Sequence, residues 1–307
     1  MYFKSSNFAN LAQKLEGDVA RIVIGIPAFN EAKYIKKCLM SAISQSYYSD
    51  DIEVLVSDNA STDETHDICE QTVEEFDRKG IVKLHKQSVN IGAPGNFQFL
   101  LDQSDSEYFM WLGAHDALSP SFCKDSHLAM SEDKRISMAC GNHVAMNESG
   151  DAYKKDIAYE LSYDNNPCSR YLESARLLNN CYIIHSLFRR DQMIDLKSLA
   201  GCPSGDIIWI SDMLWKGFLH VSKKAQCFRR YFEKEVVTKK VTSGSYVSRH
   251  NNSRFIGEYI KHFEENVRGT VYEKWQPHLS YRLFNILSNR YGFPFEGTNE
   301  VISGGDS

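Results

Sequence analysis

The chain has 307 residues, 42% of them hydrophobic, which is enough for one large α/β domain or two small ones. A formal net charge of −5, from 40 acidic and 35 basic residues, argues against a general nucleic-acid binder, because such a protein needs a basic face. The eight cysteines form no Cys-x-x-Cys pair, the N-terminus has no apolar signal segment, and no apolar run is long enough to cross a bilayer. These features predict a cytoplasmic protein.

The first 118 residues alternate between short apolar runs and amphipathic segments. Strands are predicted at 21–26, 52–57, 81–84 and 108–112, and helices at 31–45, 64–79 and 97–103. Pro27 is expected to end the first strand, and Asn30 and Asn96 to cap the first and third helices. Thr62 or Asp63 is the expected cap of the second helix. This alternation predicts parallel βαβ units in a doubly wound sheet.

The second half of the chain is less regular. Helices are predicted at 119–131, 169–179, 207–216, 255–268 and 276–290, and strands at 136–146, 181–188, 221–225 and 227–232. A polar loop with a hairpin is expected at 147–167, and a basic polar segment at 238–254.

Polar side chains follow three strands of the first half. Pro27, Asn30 and Glu31 follow the first strand, Asp58 follows the second, and Asp116 follows the strand at 108–112. Since parallel strands end at the same edge of a sheet, these groups are expected to meet there. Asp58 can accept a hydrogen bond from a nucleobase or ribose, and Asp116 can coordinate a metal on a diphosphate. No G-x-G-x-x-G or P-loop motif is present, which excludes the ordinary dinucleotide and P-loop sites.

Four segments together resemble the family-two glycosyltransferases of the GT-A fold. In chain order they are IVIGIPAFNEAKYIKKCLMSAISQSY, EVLVSDNASTDET, NIGAPGNFQFLL and YFMWLGAHDAL, within about residues 21–120. The resemblance implies a Rossmann-like, mixed and mostly parallel sheet flanked by helices, here with a C-terminal helical extension. It also implies inverting transfer of a sugar from a nucleotide donor, usually UDP-linked, with Mn²⁺ or Mg²⁺.

The resemblance also implies roles for residues of the first half. Donor contacts would come from Pro27, Ala28, Asn30, Glu31, Asp58, Asn90, Gly92 and Asn96. Asp116 would be the last carboxylate of the family's metal motif. The sequence departs from that motif, because Ala114 and His115 stand where acidic residues are usual. His115 would then lie beside the donor and the metal, with weaker metal dependence or a preference for Mn²⁺ over Mg²⁺.

Chemistry in the second half is assigned by the same resemblance. Asp206 would be the general base that takes a proton from the acceptor hydroxyl. Two alternatives stay open: Asp206 only caps its helix, or Asp212 is the base. Arg249 and Arg254 would bind the diphosphate, and His250 would complete the metal shell, unless this is simply a solvated basic loop.

The predicted organisation has five parts. They are an N-terminal extension at 1–20, a donor half at 21–118, an acceptor half at 119–254, C-terminal helices at 255–292 and a tail at 293–307. Trp209 is expected in the core. The aromatic-rich C-terminal helices are expected to pack against the catalytic domain or a second copy, with peripheral contact to the inner face of the membrane as the alternative.

The predicted function is transfer from a UDP-sugar to a glycan or lipid-linked glycan in bacterial surface polysaccharide synthesis, with no nucleic-acid partner. The alternatives are a nucleotide-sugar-binding protein without turnover and a sugar nucleotidyltransferase. The nucleotidyltransferase lacks support, because no Gly-rich basic loop follows the first strand.

Overall fold

A computed structural model describes residues 22–47, 51–156, 164–178, 182–194, 204–232 and 252–291. Within these ranges, nine strands form one sheet. The strands are β1 Ile22–Ala28, β2 Ile52–Asp58, β3 Val82–Lys86, β4 Tyr108–Trp111, β5 Ala117–Leu118, β6 Ile136–Met146, β7 Ala152–Asp156, β8 Leu187–Arg189 and β9 Phe218–Arg230. The predictions for 136–146 and for a hairpin after it are confirmed, since β7 pairs antiparallel with β6.

The sheet is parallel on the donor side and mixed beyond it. Its order is β3-β2-β1-β4-β8-β6-β9-β5, and the first four of these strands are parallel. β8 runs antiparallel to β4 and β6, and β9 runs parallel to β6. The expected mixed, mostly parallel α/β sheet is therefore confirmed, and the two predicted halves share it.

Pro27 lies inside β1, so the prediction that it ends the strand is wrong. β4 pairs with β1 only as far as Gly25, whose carbonyl accepts from the backbone N–H of Leu112. The backbone groups of alternate residues in a strand point to the same side, so the nitrogen of Pro27 points to the same side as the carbonyl of Gly25. At position 27, β4 no longer pairs on that side. The missing N–H therefore costs no ladder bond there.

Nine α-helices lie within the described ranges. They are α1 Ile35–Ile43, α2 Thr65–Phe76, α3 Gly92–Asp102, α4 Phe122–Glu132, α5 Pro167–Leu177, α6 Arg190–Ile194, α7 Gly205–Lys216, α8 Asn252–Val267 and α9 Gln276–Tyr291. Short 3-10 turns occupy Ser44–Tyr47, Tyr182–His185 and Glu273–Trp275.

Two predicted helix caps are wrong. α1 begins four residues after Glu31, without a side-chain cap, because the side chain of Asn30 is used elsewhere. α3 begins at Gly92, so Asn96 lies inside it. Pro94 does not prevent this earlier start, since a proline in the first helical turn removes an N–H that has no helical partner anyway. Asp63 does accept from the backbone N–H of Thr65 at the start of α2.

Two hydrophobic clusters form the core. One lies between α1, α4 and the donor strands, and the other between the sheet and the helices α5, α7, α8 and α9. Trp209 belongs to the second cluster, where it meets Trp111 edge-on at 5.3 Å between ring centroids, so its prediction as a core residue is confirmed. Phe255, Phe263 and Leu287 anchor the C-terminal helices in the same cluster. No helix in the described ranges is both long and apolar enough to span a membrane.

Candidate active site

The carboxylate of Asp58 lies at the end of β2, almost fully buried at 1% exposure. Its Oδ1 accepts from the backbone N–H of Ser61, but its Oδ2 has no hydrogen-bond partner among the residues that the structure describes. The Nδ1 of His66 lies 3.6 Å from this Oδ2. A buried acceptor without a donor is destabilising, so this oxygen suits a ligand that brings an N–H or O–H.

The loops after β1 and β2 are fastened to each other. The backbone N–H of Asn30 donates to Ser61 Oγ at 2.9 Å, and Asn30 Oδ1 accepts from the backbone N–H of Thr62 at 2.9 Å. Asn30 has a φ of 55°, a left-handed conformation that asparagine tolerates better than most residues. The backbone N–H of Glu31 donates to Thr65 Oγ1 at 2.7 Å. These bonds hold Asn30 and Glu31 at the same sheet edge as Asp58.

Asn59 fastens a third loop to this edge. Its Oδ1 accepts from the backbone N–H of Ile91, and its Nδ2 donates to Asn90 Oδ1 at 3.1 Å. Gly92 has a φ of 76°, which favours glycine. Asn90 and Gly92 are exposed near the edge, whereas Asn96 is buried and exchanges two hydrogen bonds with Ser57.

Asp116 lies just past the end of β4, at 2% exposure. Its Oδ1 accepts from the backbone N–H of Arg230, the last residue of β9, at 2.8 Å. A Cβ added to Gly113 would lie 2.7 Å from Asp116 Oδ2, so the position of this carboxylate requires glycine at 113. The Arg230 side chain donates to the backbone carbonyls of His115, Asn147 and Glu148 and thereby holds the loop that carries Asp116.

Glu31 and His115 join the loop after β1 to the loop after β4. His115 Nδ1 lies 2.8 Å from Glu31 Oε1. With Nδ1–H donating to Glu31, the Nε2 of neutral His115 keeps its lone pair, 4.0 Å from Asp116 Oδ1. Burial disfavours the charged ring, but the hydrogen bond to Glu31 and the nearby Asp116 carboxylate outweigh it, so the pKa of His115 is raised.

A second imidazole, that of His185, also faces Asp116. Its Nδ1 lies 2.9 Å from the backbone carbonyl of Trp111, which fixes the ring, and its Nε2 lies 3.6 Å from Asp116 Oδ2. Burial lowers the pKa of His185, although the negative charge of Asp116 acts to raise it. One carboxylate and two imidazoles therefore converge at the end of β4.

These groups suit a divalent ion only together with a diphosphate. Among the residues that the structure describes, no group of three or more His, Cys, Asp or Glu side chains is arranged to hold a metal ion. Asp116 and the Nε2 of His115 offer one oxygen and one nitrogen donor, a set that suits Mn²⁺ better than Mg²⁺. Diphosphate oxygens and water would have to complete the shell, as they commonly do for such ions.

Asp206 lies in the first turn of α7, partly exposed, where its Oδ1 accepts from the backbone N–H of Ile207 at 3.1 Å. The residue before the helix, Ser204, has a φ of 62° and makes no side-chain cap. Asp212, the alternative base, is buried at 3% exposure and bonds to His262 Nδ1 at 2.7 Å and to Asn266 Nδ2 at 2.6 Å. Its carboxylate joins α7 to α8.

Residues predicted to bind the diphosphate from the second half are only partly described. Arg254 is exposed in the first turn of α8. Arg249 and His250 lie outside the described residues, so their predicted roles stay predictions. Sequence reasoning could not select Arg230 or His185, because neither belongs to a motif and each lies 69 or more positions from Asp116.

Comparison with known proteins identifies the chain's family. Residues 23–194, more than half of the chain, match the family model described as glycosyl transferase family 2. The chain belongs to this family. The resemblance inferred from the four motifs and the assignment as a glycosyltransferase are thereby confirmed.

Three proteins illustrate the relationship. A Methanococcus voltae dolichyl N-acetyl-alpha-D-glucosaminyl phosphate 3-beta-D-2,3-diacetamido-2,3-dideoxy-beta-D-glucuronosyltransferase is 23% identical over 92% of this chain and 82% of its own length. Glycosyltransferase GlyA of Streptococcus pneumoniae is 27% identical over 47% of this chain, which spans only 20% of GlyA. The crystal structure of Staphylococcus aureus TarS 1–349 with UDP-GlcNAc aligns with a TM-score of 0.60 at 18% identity, over 88% of this chain and 73% of that one. The TarS likeness shows a shared GT-A fold.

Proposed function

We propose that this family 2 glycosyltransferase moves a sugar from a UDP-sugar to a hydroxyl of a glycan or lipid-linked glycan, with inversion, in bacterial surface polysaccharide synthesis. The observation that carries the proposal is the convergence of Asp58 and Asp116 at one sheet edge. The Glu31–His115 contact and the Asn30 bonds connect the loops that hold them. The nucleotide in the TarS structure and the dolichyl-linked substrate named for the Methanococcus enzyme support the donor and acceptor classes.

Recognition of the base and ribose would start from the loops after β1 and β2. The unpartnered Oδ2 of Asp58 would accept the imide N–H of uracil, which cytosine does not offer. Pro27, Ala28, Asn30 and Glu31 would line the ribose and base. Asn90 and Gly92, in the loop after β3, would contact the donor. Asn96 would hold that loop in place through its hydrogen bond to β2.

The diphosphate would lie at Asp116. Asp116 and His115 would hold Mn²⁺ or Mg²⁺, with His250 as a further ligand. A bound divalent ion offsets the negative charge that develops on the departing UDP. Arg249 and Arg254 would neutralise the charge of the same diphosphate.

Asp206 would act as the general base. As the acceptor oxygen attacks the anomeric carbon and the bond from that carbon to UDP breaks, the Asp206 carboxylate would take the hydroxyl proton. Its place in the first turn of α7 is partly exposed, as a group that meets an acceptor must be. Among the residues that the structure describes, Asp206 accepts only from the next backbone N–H, which leaves the carboxylate further acceptor capacity.

The test compares two aspartates with the same local geometry. Asp191 also stands in the first turn of a helix, α6, and its Oδ1 accepts from the next backbone N–H at 2.9 Å. We expect Asp206→Asn to slow acceptor-dependent UDP release by roughly 10²-fold or more, with UDP affinity by calorimetry unchanged. Asp191→Asn should leave both quantities unchanged.

Two results would contradict the proposal. An unchanged rate in Asp206→Asn would remove Asp206 as the base. No binding of UDP at millimolar concentration, with or without Mn²⁺, would remove the UDP-sugar donor. UDP binding without any turnover of a panel of nucleotide sugars would instead favour a binding protein of the same fold.

A further inference from the structure

The last helix of the described chain has two different faces. Leu283 and Leu287 are fully buried against the second core cluster, with Leu279 and Ile286 packed beside them. The opposite face begins in the 3-10 turn before α9 with Trp275, at 58% exposure, and continues to Tyr281, at 67%. The helical packing expected from the sequence therefore accounts for only one of the two faces.

The outward residues share one side of the helix. These residues stand at positions 274 and 275, at 278, and at 281 and 282. Intervals of three and four residues place side chains on one face of a helix. We call the set formed by Val271, Lys274, Trp275, His278, Tyr281 and Arg282 the outer face. Val271, just before the 3-10 turn, is 77% exposed. Large apolar groups standing this far out of a folded domain commonly mark a contact surface.

The charge of the outer face is one-sided. The outer face contains two basic residues, Lys274 and Arg282, and no acidic one, although the whole chain has a net charge of −5. Glu273 is the one acidic residue between positions 268 and 291. The Glu273 carboxylate is turned toward the backbone N–H of Gly269. Lys274 lies over the Trp275 ring, with its Nζ 5.7 Å from the ring centroid. The outer face therefore combines exposed aromatic rings with cations.

We propose that the outer face binds the surface of an anionic phospholipid bilayer. Tryptophan and tyrosine prefer the interface between lipid headgroups and acyl chains, and lysine and arginine are attracted to acidic headgroups. A second copy of this chain fits less well, because a two-fold contact would place the same cationic face against itself. The helix would lie in the plane of the interface and would not cross the bilayer.

This inference goes beyond the proposed transfer reaction and is tested without donor or acceptor. The assay is co-sedimentation of the 307-residue chain with vesicles of phosphatidylcholine, without and with phosphatidylglycerol, at low and high salt. Two variants probe the outer face: Trp275→Ser/Tyr281→Ser for its apolar part and Lys274→Glu/Arg282→Glu for its charge. Matched controls are the exposed Tyr153→Ser on β7 and the exposed pair Lys223→Glu/Lys224→Glu on β9.

We expect binding to the phosphatidylglycerol vesicles that weakens with salt. Each outer-face variant should lower the partition coefficient roughly tenfold or more, with an unchanged melting temperature, because its side chains point away from the core. The controls should bind like the wild type. The proposal is overturned if the protein does not bind these vesicles, or if the control variants lose as much vesicle binding as the outer-face variants. It is also overturned if the outer-face variants abolish self-association and leave vesicle binding intact.

Discussion

The loops after β1, β2 and β3 and the helical side of the molecule are held together by different kinds of polar contact. Between these loops, short uncharged side chains such as those of Asn30, Asn59 and Ser61 bond to backbone groups of the neighbouring loop. On the helical side, a few long or charged groups are buried whole. Arg170 is 6% exposed and donates to the carbonyls of Leu214 and Trp215 at the end of α7.

The comparison shows how each region uses its polar groups. Many weak bonds can be remade individually, so the loops after β1, β2 and β3 can adjust around a ligand without losing their fold. A buried charge has no such alternative, because the loss of one partner leaves the other desolvated and unpaired. We therefore expect the helical side to carry more stability per polar residue than these loops, and the loops to carry specificity for a ligand.

The largest expected effect sharpens this contrast on the helical side. Asp212→Ala removes the partner of His262 and Asn266 and should lower the free energy of unfolding by about 3 kcal/mol, measured by urea denaturation. UDP affinity of the remaining folded protein should be unchanged. The exposed Asp67→Ala in α2 is the control and should cost well under 1 kcal/mol. Equal losses in the two variants would remove the contrast.

An intermediate effect is expected in the loop after β4, where Asp116 is buried and bonded to the backbone N–H of Arg230. Gly113→Ala places a Cβ 2.7 Å from Asp116 Oδ2, so the carboxylate must move. We expect a loss of about 1–3 kcal/mol in stability together with weaker Mn²⁺-dependent UDP binding by calorimetry. The control is Gly257→Ala in α8, where an added Cβ meets nothing within 4 Å. It should raise the free energy of unfolding slightly and leave UDP binding unchanged. Unaltered UDP binding in Gly113→Ala would separate Asp116 from the donor site.

The smallest expected effect is a pH dependence of the helical side. The hydrogen bond that His262 donates to the Asp212 carboxylate raises the pKa of His262 in the folded protein. A raised folded pKa stabilises fully below the unfolded value of about 6.5, and this contribution is lost as pH rises through the higher folded value.

His262→Gln should therefore flatten the decline in unfolding free energy above pH 6.5, measured by denaturation at a series of pH values. His278→Gln, which changes an exposed histidine on α9, should keep the wild-type slope. A slope that persists in His262→Gln would assign the pH dependence to another group.

The sequence predicted the donor strands and the place of Asp58 and Asp116, because apolar runs followed by polar turns are local patterns. It missed contacts between residues that are far apart in the chain. Nothing near Arg230 indicates that its backbone N–H holds Asp116, 114 positions earlier. Local patterns also misplaced caps. Asn30 and Asn96 have side chains suited to capping a helix, but tertiary partners, Thr62 and Ser57, take their hydrogen bonds.

The end of pairing between β1 and β4 coincides with a proline in a central strand. In a parallel ladder, a residue that donates to one position accepts from the residue two further on. Leu112 donates to Gly25, so the next rung would run from position 27 to the carbonyl of Leu112. Pro27 has no hydrogen to give. Because the proline ring itself prevents this hydrogen bond, β1 and β4 cannot continue their pairing across the space that a substrate would enter.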